Sequence, residues 1–162
     1  MEFEEYPVEN FERQEEGKTM DYNLERFKRE QAYDYETALR EIRGGRKTSH
    51  WIWYIFPQMK GLGTSGMSDY YGISDIEEAK AYLADPVLGP RLVEISEALM
   101  ELKEKDAAKI FGFPDVLKVR SCMTLFDAAC GEESVFRSVL DAYYGGEKDE
   151  RTLRLLDEAK VR

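Results

Sequence analysis

The sequence predicts an all-α fold, a compact single-domain bundle of several helices preceded by an acidic N-terminal arm. Apolar residues recur at intervals of three and four along most of the chain, as in amphipathic helices. No stretch of alternating apolar and polar residues has a second such stretch to pair with, so no sheet is expected. A chain of 162 residues that is 43% hydrophobic can bury one core without disulfides or metals.

The first 22 residues differ from the rest of the chain in charge. They contain eight acidic and two basic residues, more than half of the net charge of −10. Because like charges repel and apolar side chains are few, we expect residues 1–22 to form a mobile acidic arm and residues 23–162 to form the helical domain. The apolar side chains of the arm leave docking on the domain as an alternative. They are Phe3, Tyr6, Val8 and Phe11.

The predicted helices follow from caps and apolar spacing. A short apolar stripe lies over 24–31, and Asp34 is then a candidate N-cap for a helix over 35–43 that ends at Gly44 and Gly45. The run 52–56 has no partner strand, so we predict a helical turn there. Asp75 is the predicted N-cap of a helix over 76–83. Further helices are expected over 86–103 and 114–129, which begin at prolines, and over 134–144 and 150–160.

The helix over 114–129 is apolar on two sides, which predicts a position in the centre of the domain. Arg120, Ser121 and Thr124 lie on the strip between those sides. A buried guanidinium needs a partner, because an isolated buried charge costs several kcal/mol. Arg120 pairs either with a carboxylate of the fold (Asp115, Asp127 or Glu41) or with a ligand phosphate or carboxylate, for which Ser121 and Thr124 are further donors.

A ring-rich segment over 49–58 contains both tryptophans and the only histidine of the chain. His50, Trp51 and Trp53 combine a group that titrates near neutral pH with large rings, a combination common in small-molecule sites. The alternatives are that His50 is a structural hydrogen-bonding residue and that both tryptophans belong to the core. Gln58 either contacts the edge of a planar ligand or caps buried backbone groups.

A glycine-rich turn follows this segment at Gly61, Gly63 and Gly66. Its spacing matches the dinucleotide-binding pattern, but that pattern has meaning only between a strand and a helix, so we predict a turn that approaches a ligand or the ring-rich segment closely. Lys47 and Lys60 lie on either side of the ring-rich segment, and Lys60 directly precedes the glycine-rich turn. With Arg120 they form a candidate basic rim, and the alternative for each lysine is ordinary solvation.

Several of these stretches together resemble the DUF1810 family of uncharacterised proteins. The resemblance covers about residues 24–158, which implies a compact all-helical single domain and no particular activity. This chain departs from the family pattern in its long acidic arm and in Cys122, where a second serine is common. The matching segments are 45–58, 61–63, Tyr82-Leu83, Pro86, 88–92, 111–115, Lys118, 120–126 and 144–146.

Two functions of different classes are compatible with these observations. The first is a pocket for an anionic, planar ligand such as a nucleotide or an ADP-ribose-like compound; if it is catalytic, His50 moves a proton in a hydrolytic or transfer step. The second is a non-catalytic module that binds another protein or has a structural role. The predicted ligand-binding residues are Lys47, Trp51, Trp53, Gln58, Gly61, Gly63, Arg120, Ser121 and Thr124.

Composition limits the partners further. The net charge of −10 argues against general nucleic-acid binding, and no apolar run approaches the roughly 20 residues that span a membrane. No cofactor is predicted, and a metal site is not expected because the chain has one histidine. Cys122 and Cys130 would lie about 12 Å apart on one helix, too far for a disulfide, which favours a reducing cytoplasm.

Overall fold

The computed structural model describes residues 21–160 and confirms the all-α fold. Within that range the only strand-like pairing is an isolated parallel bridge between Met59 and Ile73. The arm predicted over 1–22 lies outside the described residues, apart from its last two. The helices of the described range are α1 (Glu25–Arg43), α2 (Ile52–Ile55), α3 (Gly66–Tyr70), α4 (Ile76–Ala84), α5 (Leu88–Glu101), α6 (Ala107–Phe111), α7 (Asp115–Cys130), α8 (Val135–Tyr144) and α9 (Glu150–Lys160).

Helix α1 is one continuous helix, so the prediction that Asp34 begins a new helix is wrong. A single buried face runs past that position, and its packing outweighs the preference of an aspartate for a cap. The Asp34 carboxylate instead accepts a hydrogen bond from the Tyr54 hydroxyl. The buried residues of that face are Phe27, Gln31, Tyr35, Ala38 and Ile42.

Helix α7 occupies the centre of the fold, as its two apolar sides predict. Residues 121–127 are all buried, and the helix contacts α4, α6, α8 and α9. Helix α5 packs on α1, α4 and α8 and covers the other side of the core. Helix α7 is therefore exposed only toward its two ends, at Leu117 and at Ala128.

Two short helices, α3 and α6, were not predicted from the sequence. Each has a side-chain N-cap: Ser65 accepts the backbone N–H of Ser68, and Asp106 accepts that of Lys109. These caps are recognisable in the sequence, but each helix has only five residues and no periodic apolar pattern. The predicted turn over 52–56 is helix α2, and the predicted cap Asp75 accepts the N–H of Glu78.

A buried ion pair joins the beginning of α1 to α4. The Arg26 guanidinium lies 2.8 Å from a carboxylate oxygen of Glu78 and also donates to the carbonyls of Tyr70 and Gly72. The other Glu78 oxygen accepts the backbone N–H and the hydroxyl of Ser74. The pair therefore connects α1, the segment before α4 and α4 itself.

No helix of the described range combines the length and the apolar content needed to cross a bilayer.

Candidate functional site

The loop between α1 and α2 is organised around the carboxylate of Glu41. This carboxylate accepts the backbone N–H groups of Thr48 and Ser49 at 2.8 and 3.1 Å. It also accepts the Ser49 hydroxyl at 2.5 Å and the Trp51 indole N–H at 2.9 Å. One carboxylate from the last turns of α1 thus fixes both the loop and the Trp51 ring.

The pKa of Glu41 reflects these donors. Desolvation alone would raise it, but the hydrogen bonds from Ser49, Thr48 and Trp51 favour the charged form and lower the pKa from 4.5 to about 2. Because the folded state has the lower pKa, this carboxylate stabilises the fold fully above about pH 4.5. The contribution is lost as the pH falls toward 2.

Replacing Glu41 with glutamine is expected to lower the free energy of unfolding by about 2 kcal/mol at pH 7, since hydrogen bonds to a charged acceptor are lost. The difference from the unmodified protein should shrink as the pH falls below 4.5. Urea unfolding at pH 7, 4 and 3 measures it. Glu36→Gln, on the same helix at an exposed position, is the control; a Glu41→Gln deficit that stays constant with pH would contradict this account.

Two lysines share a single carboxylate next to this loop. Lys47 Nζ lies 2.8 Å from one oxygen of Asp115, and Lys118 Nζ lies 3.2 Å from the other. The Lys47 ammonium is 5.0 Å from the centre of the Trp51 ring, and the Lys118 ammonium is 4.6 Å from that of Trp53. We call these five residues the tryptophan–lysine cluster; its two ammonium groups exceed its one carboxylate by a unit of positive charge.

The members of the tryptophan–lysine cluster differ in accessibility. Trp51 is a core residue with 1% exposure, whereas Trp53 is half-buried. The side chain of Lys47 is 8% exposed, and its ammonium also donates to the Ser49 carbonyl at 2.6 Å. The side chain of Lys118 is 18% exposed. Trp53, Lys118 and Asp115, whose side chain is also 18% exposed, are therefore the accessible part of the cluster.

His50 lies beside the cluster, between Ser49 and Trp51, and is exposed. Its backbone carbonyl accepts a hydrogen bond from the Tyr54 hydroxyl at 3.3 Å. Within residues 21–160, no group hydrogen-bonds to the His50 imidazole. A general base is usually oriented by such a partner, so the described part of the chain leaves the orientation of this ring to solvent or to a ligand.

A second group of predicted residues surrounds the beginning of α9. The Arg120 guanidinium lies 3.6 Å from Glu147 and 3.7 Å from Asp149, so the expected partners Asp115, Asp127 and Glu41 were wrong. The sequence could not identify Glu147 and Asp149, because their approach depends on the connection between α8 and α9. The Arg120 Nε atom is buried and has no partner in the described residues.

The hydroxyls of α7 are engaged in the fold. Thr124 donates to the Arg120 carbonyl at 2.9 Å and accepts the backbone N–H of Asp149 at the same distance. Ser121 donates to the Leu117 carbonyl at 3.1 Å. Both side chains are buried, so they support α7 and its contact with α9 in this conformation.

The glycine-rich turn is held against α9 and α3. Arg151 donates to the Gly61 carbonyl at 3.3 Å. Gly61 has a φ of +102°, a conformation that favours glycine. A Cβ at Gly63 would lie 2.8 Å from the Ser68 side chain, which explains the absence of a side chain there. Gln58 is buried, and its backbone carbonyl accepts the backbone N–H of Ile73.

The structure thus brings the predicted residues together in two groups rather than in one contact network. Lys47, Trp51 and Trp53 belong to the tryptophan–lysine cluster, whereas Gly61, Arg120 and Thr124 surround the beginning of α9. Helix α7 joins the groups, because it carries both Lys118 and Arg120, which project about 160° apart. A single pocket lined by all the predicted residues stays a prediction. Lys60 is exposed, 3.9 Å from Asp69.

Two members of the cluster were not predicted as ligand-binding residues. The sequence indicates Asp115 as a candidate partner of Arg120 and as part of the matching segment 111–115, and Lys118 only as part of the family resemblance. Their spacing of three on a helix is a signal for an ion pair, but its connection to Lys47 depends on the tertiary fold. Among the described residues, no group of three or more His, Cys, Asp or Glu side chains is placed to hold a metal ion.

Comparisons with other proteins agree with this fold. A family model described as "Protein of unknown function (DUF1810)" matches residues 21–156. A crystal structure of the conserved hypothetical protein Rv1873 from Mycobacterium tuberculosis is 45% identical in sequence, with a TM-score of 0.82 over 84% of this chain and 97% of that chain. The comparison with curated proteins gave no match.

Proposed function

We propose that this chain, which belongs to the DUF1810 family, binds a small anionic ligand with a planar part at the tryptophan–lysine cluster. The observation that carries the proposal is the sharing of Asp115 by Lys47 and Lys118. The nearby Glu41 carboxylate is occupied by neutral donors of the loop and pairs with neither lysine. Lys118 therefore keeps N–H donors that a ligand phosphate or carboxylate can accept.

Lys118 is the primary anion-binding group in this proposal. An ammonium has three N–H donors, and Asp115 is the only residue that the Lys118 ammonium pairs with in the described range. Lys47, by contrast, is nearly buried and also donates to the Ser49 carbonyl. The expected role of Lys47 is therefore to hold Asp115 and to add positive potential behind the ligand.

Trp53 supplies the surface for the planar part of the ligand. Its ring is half-buried, with Lys118 over one part of it, so a ligand ring would stack on the accessible remainder. A nucleotide or an ADP-ribose-like compound has both a planar base and phosphate groups. Arg120 projects about 160° away from Lys118 on α7 and lies with Glu147 and Asp149, so a ligand bound at the tryptophan–lysine cluster is not expected to contact it.

Replacing Lys118 with glutamine is expected to weaken binding of the ligand by about 10-fold or more, because a charge-assisted hydrogen bond is lost. A thermal-shift screen with nucleotides, ADP-ribose and sugar phosphates identifies the ligand through the rise in Tm. Calorimetry then gives the affinities. Lys80→Gln removes a lysine with the same i,i+3 pairing at an exposed site and should bind as the unmodified protein does.

Catalysis is an extension of this proposal and depends on His50. His50 directly precedes Trp51 of the cluster and is exposed, so its imidazole is available to exchange a proton with a bound ligand in a hydrolytic or transfer step. With the compound that the screen selects, His50→Asn should leave binding unchanged and abolish product formation, followed by NMR of the ligand. Equal turnover by both proteins would exclude His50 as the catalytic residue, and no turnover by the unmodified protein would restrict the function to binding.

The alternative function, a protein-interaction module, is supported by one observation at the same end of α7. Phe113 is 81% exposed and Leu117 is 43% exposed, and exposed apolar side chains of this size often mark contacts between proteins. Under this alternative no compound of the screen raises the Tm. The ligand-binding proposal is favoured if a compound raises the Tm of the unmodified protein and of Phe113→Ser but not that of Lys118→Gln.

A further inference from the structure

We propose that the cleft at the end of α1 is a second binding site, separate from the tryptophan–lysine cluster, for a small phosphorylated or carboxylated molecule. The cleft has a volume of about 550 Å³, which lies within the range of small-molecule sites. One side consists of the loop over 44–46 and the other of the segment over 102–110. Arg46, Lys103 and Lys109 bring three positive charges to it from these two segments.

The two sides of the cleft are held in place by backbone contacts. The Lys47 N–H donates to the Ile110 carbonyl at 2.8 Å, directly behind the cleft. Ile110 is buried, and α6 is capped at its start by Asp106. The hydrogen bond therefore connects the loop that carries Arg46 to α6 on the other side of the cleft.

The carboxylates in the cleft are already engaged. Both Glu104 oxygens accept Lys109 Nζ, at 3.2 and 3.3 Å, and Asp106 accepts the Lys109 backbone N–H at 3.1 Å. Arg46 and Lys103 have no carboxylate partner within the described residues. The two cations available to an anion thus come from the two sides of the cleft, Arg46 from the loop and Lys103 from the segment over 102–110, and a phosphate or carboxylate can take both as partners.

The backbone of the cleft also leaves room for a ligand. Gly45 has a φ of +83°, and a Cβ at this position would meet nothing within 4 Å. The N–H groups of Gly44, Gly45 and Arg46 donate to carbonyls of the last turn of α1. Those carbonyls are therefore capped, which reduces the negative potential that a helix C-terminus would otherwise direct at an anion. Anion binding then depends on the side chains of Arg46 and Lys103.

The size and lining indicate the class of ligand. Leu102 and Ile110 give the cleft an apolar part between its charged residues. A small phosphate monoester or carboxylate with a short apolar group matches this combination. Phenyl phosphate has both features, and inorganic phosphate has only the first, so the pair of probes separates the two contributions.

The test is a titration of the full-length, ¹⁵N-labelled protein with phenyl phosphate and inorganic phosphate at constant ionic strength. Saturable amide shifts are expected at 44–46 and 102–110, with tighter binding of phenyl phosphate. Arg46→Gln combined with Lys103→Gln should weaken binding at least about 10-fold. The control combines Lys80→Gln with Arg154→Gln, which removes one lysine and one arginine from exposed positions elsewhere. This control should leave the affinity for both probes unchanged.

Three results would overturn the proposal: no saturation, equal binding by the Arg46/Lys103 variant, or saturable shifts confined to the tryptophan–lysine cluster. The last result would support the proposed function while excluding this cleft. Lys118→Gln should have no effect on the shifts at 44–46, so failure of one site is distinguishable from failure of the other. Circular dichroism of each variant confirms that its helix content is retained.

Discussion

Replacing Glu78 with alanine is expected to lower the free energy of unfolding by about 3–5 kcal/mol, the typical loss when one partner of a buried ion pair is removed. The side chains of Arg26 and Glu78 are 7% and 3% exposed. Without the carboxylate, a guanidinium would remain buried with only carbonyl acceptors, and the Ser74 N–H and hydroxyl would lose their acceptor as well. The loss would separate α4 from the beginning of α1.

Urea unfolding of three variants tests this prediction. Glu77→Ala, which removes an exposed i,i+3 pair with Lys80, should change the stability by less than about 0.5 kcal/mol. Combining Arg26→Met with Glu78→Leu should recover part of the loss, because no unpaired charge then remains. If Glu78→Ala costs less than about 1 kcal/mol, the pair is not the connection between α1 and α4 that the structure indicates.

The second large effect is expected at Gly89, in the first turn of α5. A Cβ at this position would lie 2.0 Å from the Leu83 carbonyl oxygen and 2.9 Å from the carbon of the same carbonyl. Both atoms belong to the backbone of α4, so relief requires the two helices to move apart. We expect Gly89→Ala to cost about 3 kcal/mol or more, the upper part of the range for overpacking.

Thermal unfolding of two alanine variants isolates this steric effect. Gly66 is also in the first turn of a helix, but a Cβ there would meet nothing within 4 Å. Gly66→Ala should therefore be neutral or stabilising by up to about 1 kcal/mol, because alanine loses less backbone entropy on folding. Equal Tm values for the two variants would show that α4 and α5 are not in contact at Gly89.

The sequence predicted the fold well where the apolar spacing was clearly helical or where a strand-like run had no second run to pair with. Helix α7 is apolar on two sides and is found in the centre of the domain. The run 52–56 was predicted to be helical because no second strand exists, and Ile52–Ile55 form α2. These features depend on local spacing and on the absence of a pairing partner, both of which are visible in one sequence.

The local cap at Asp34 was misleading for a physical reason. A capping preference is worth about 1 kcal/mol, whereas the buried face of α1 continues from Phe27 to Ile42 across that position. Burial of several large side chains outweighs one cap. Asp34 instead bonds the Tyr54 hydroxyl, a contact between α1 and α2 that neither segment indicates alone.

The site was only partly predictable because its charge pairs connect distant segments. Lys47, Trp51 and Trp53 were identified from the ring-rich segment, but Lys47 pairs with Asp115 at the start of α7. Arg120 pairs with Glu147 and Asp149, which α8 brings back to α7. Tertiary packing decides which carboxylate pairs with which cation. The residue types alone predicted only that a buried lysine or arginine would need a negatively charged partner.

The proposed function rests on competition between Asp115 and a ligand anion for Lys118. The most direct test is the affinity of Asp115→Asn for the compound selected by the screen, compared by calorimetry with that of Lys118→Gln. Removing the competing carboxylate should tighten binding several-fold, whereas Lys118→Gln should weaken it. Both variants lose the Lys118–Asp115 pair, and Asp115→Asn also loses the pair with Lys47. Weakening of binding by both replacements, or no change with either, would contradict the proposal.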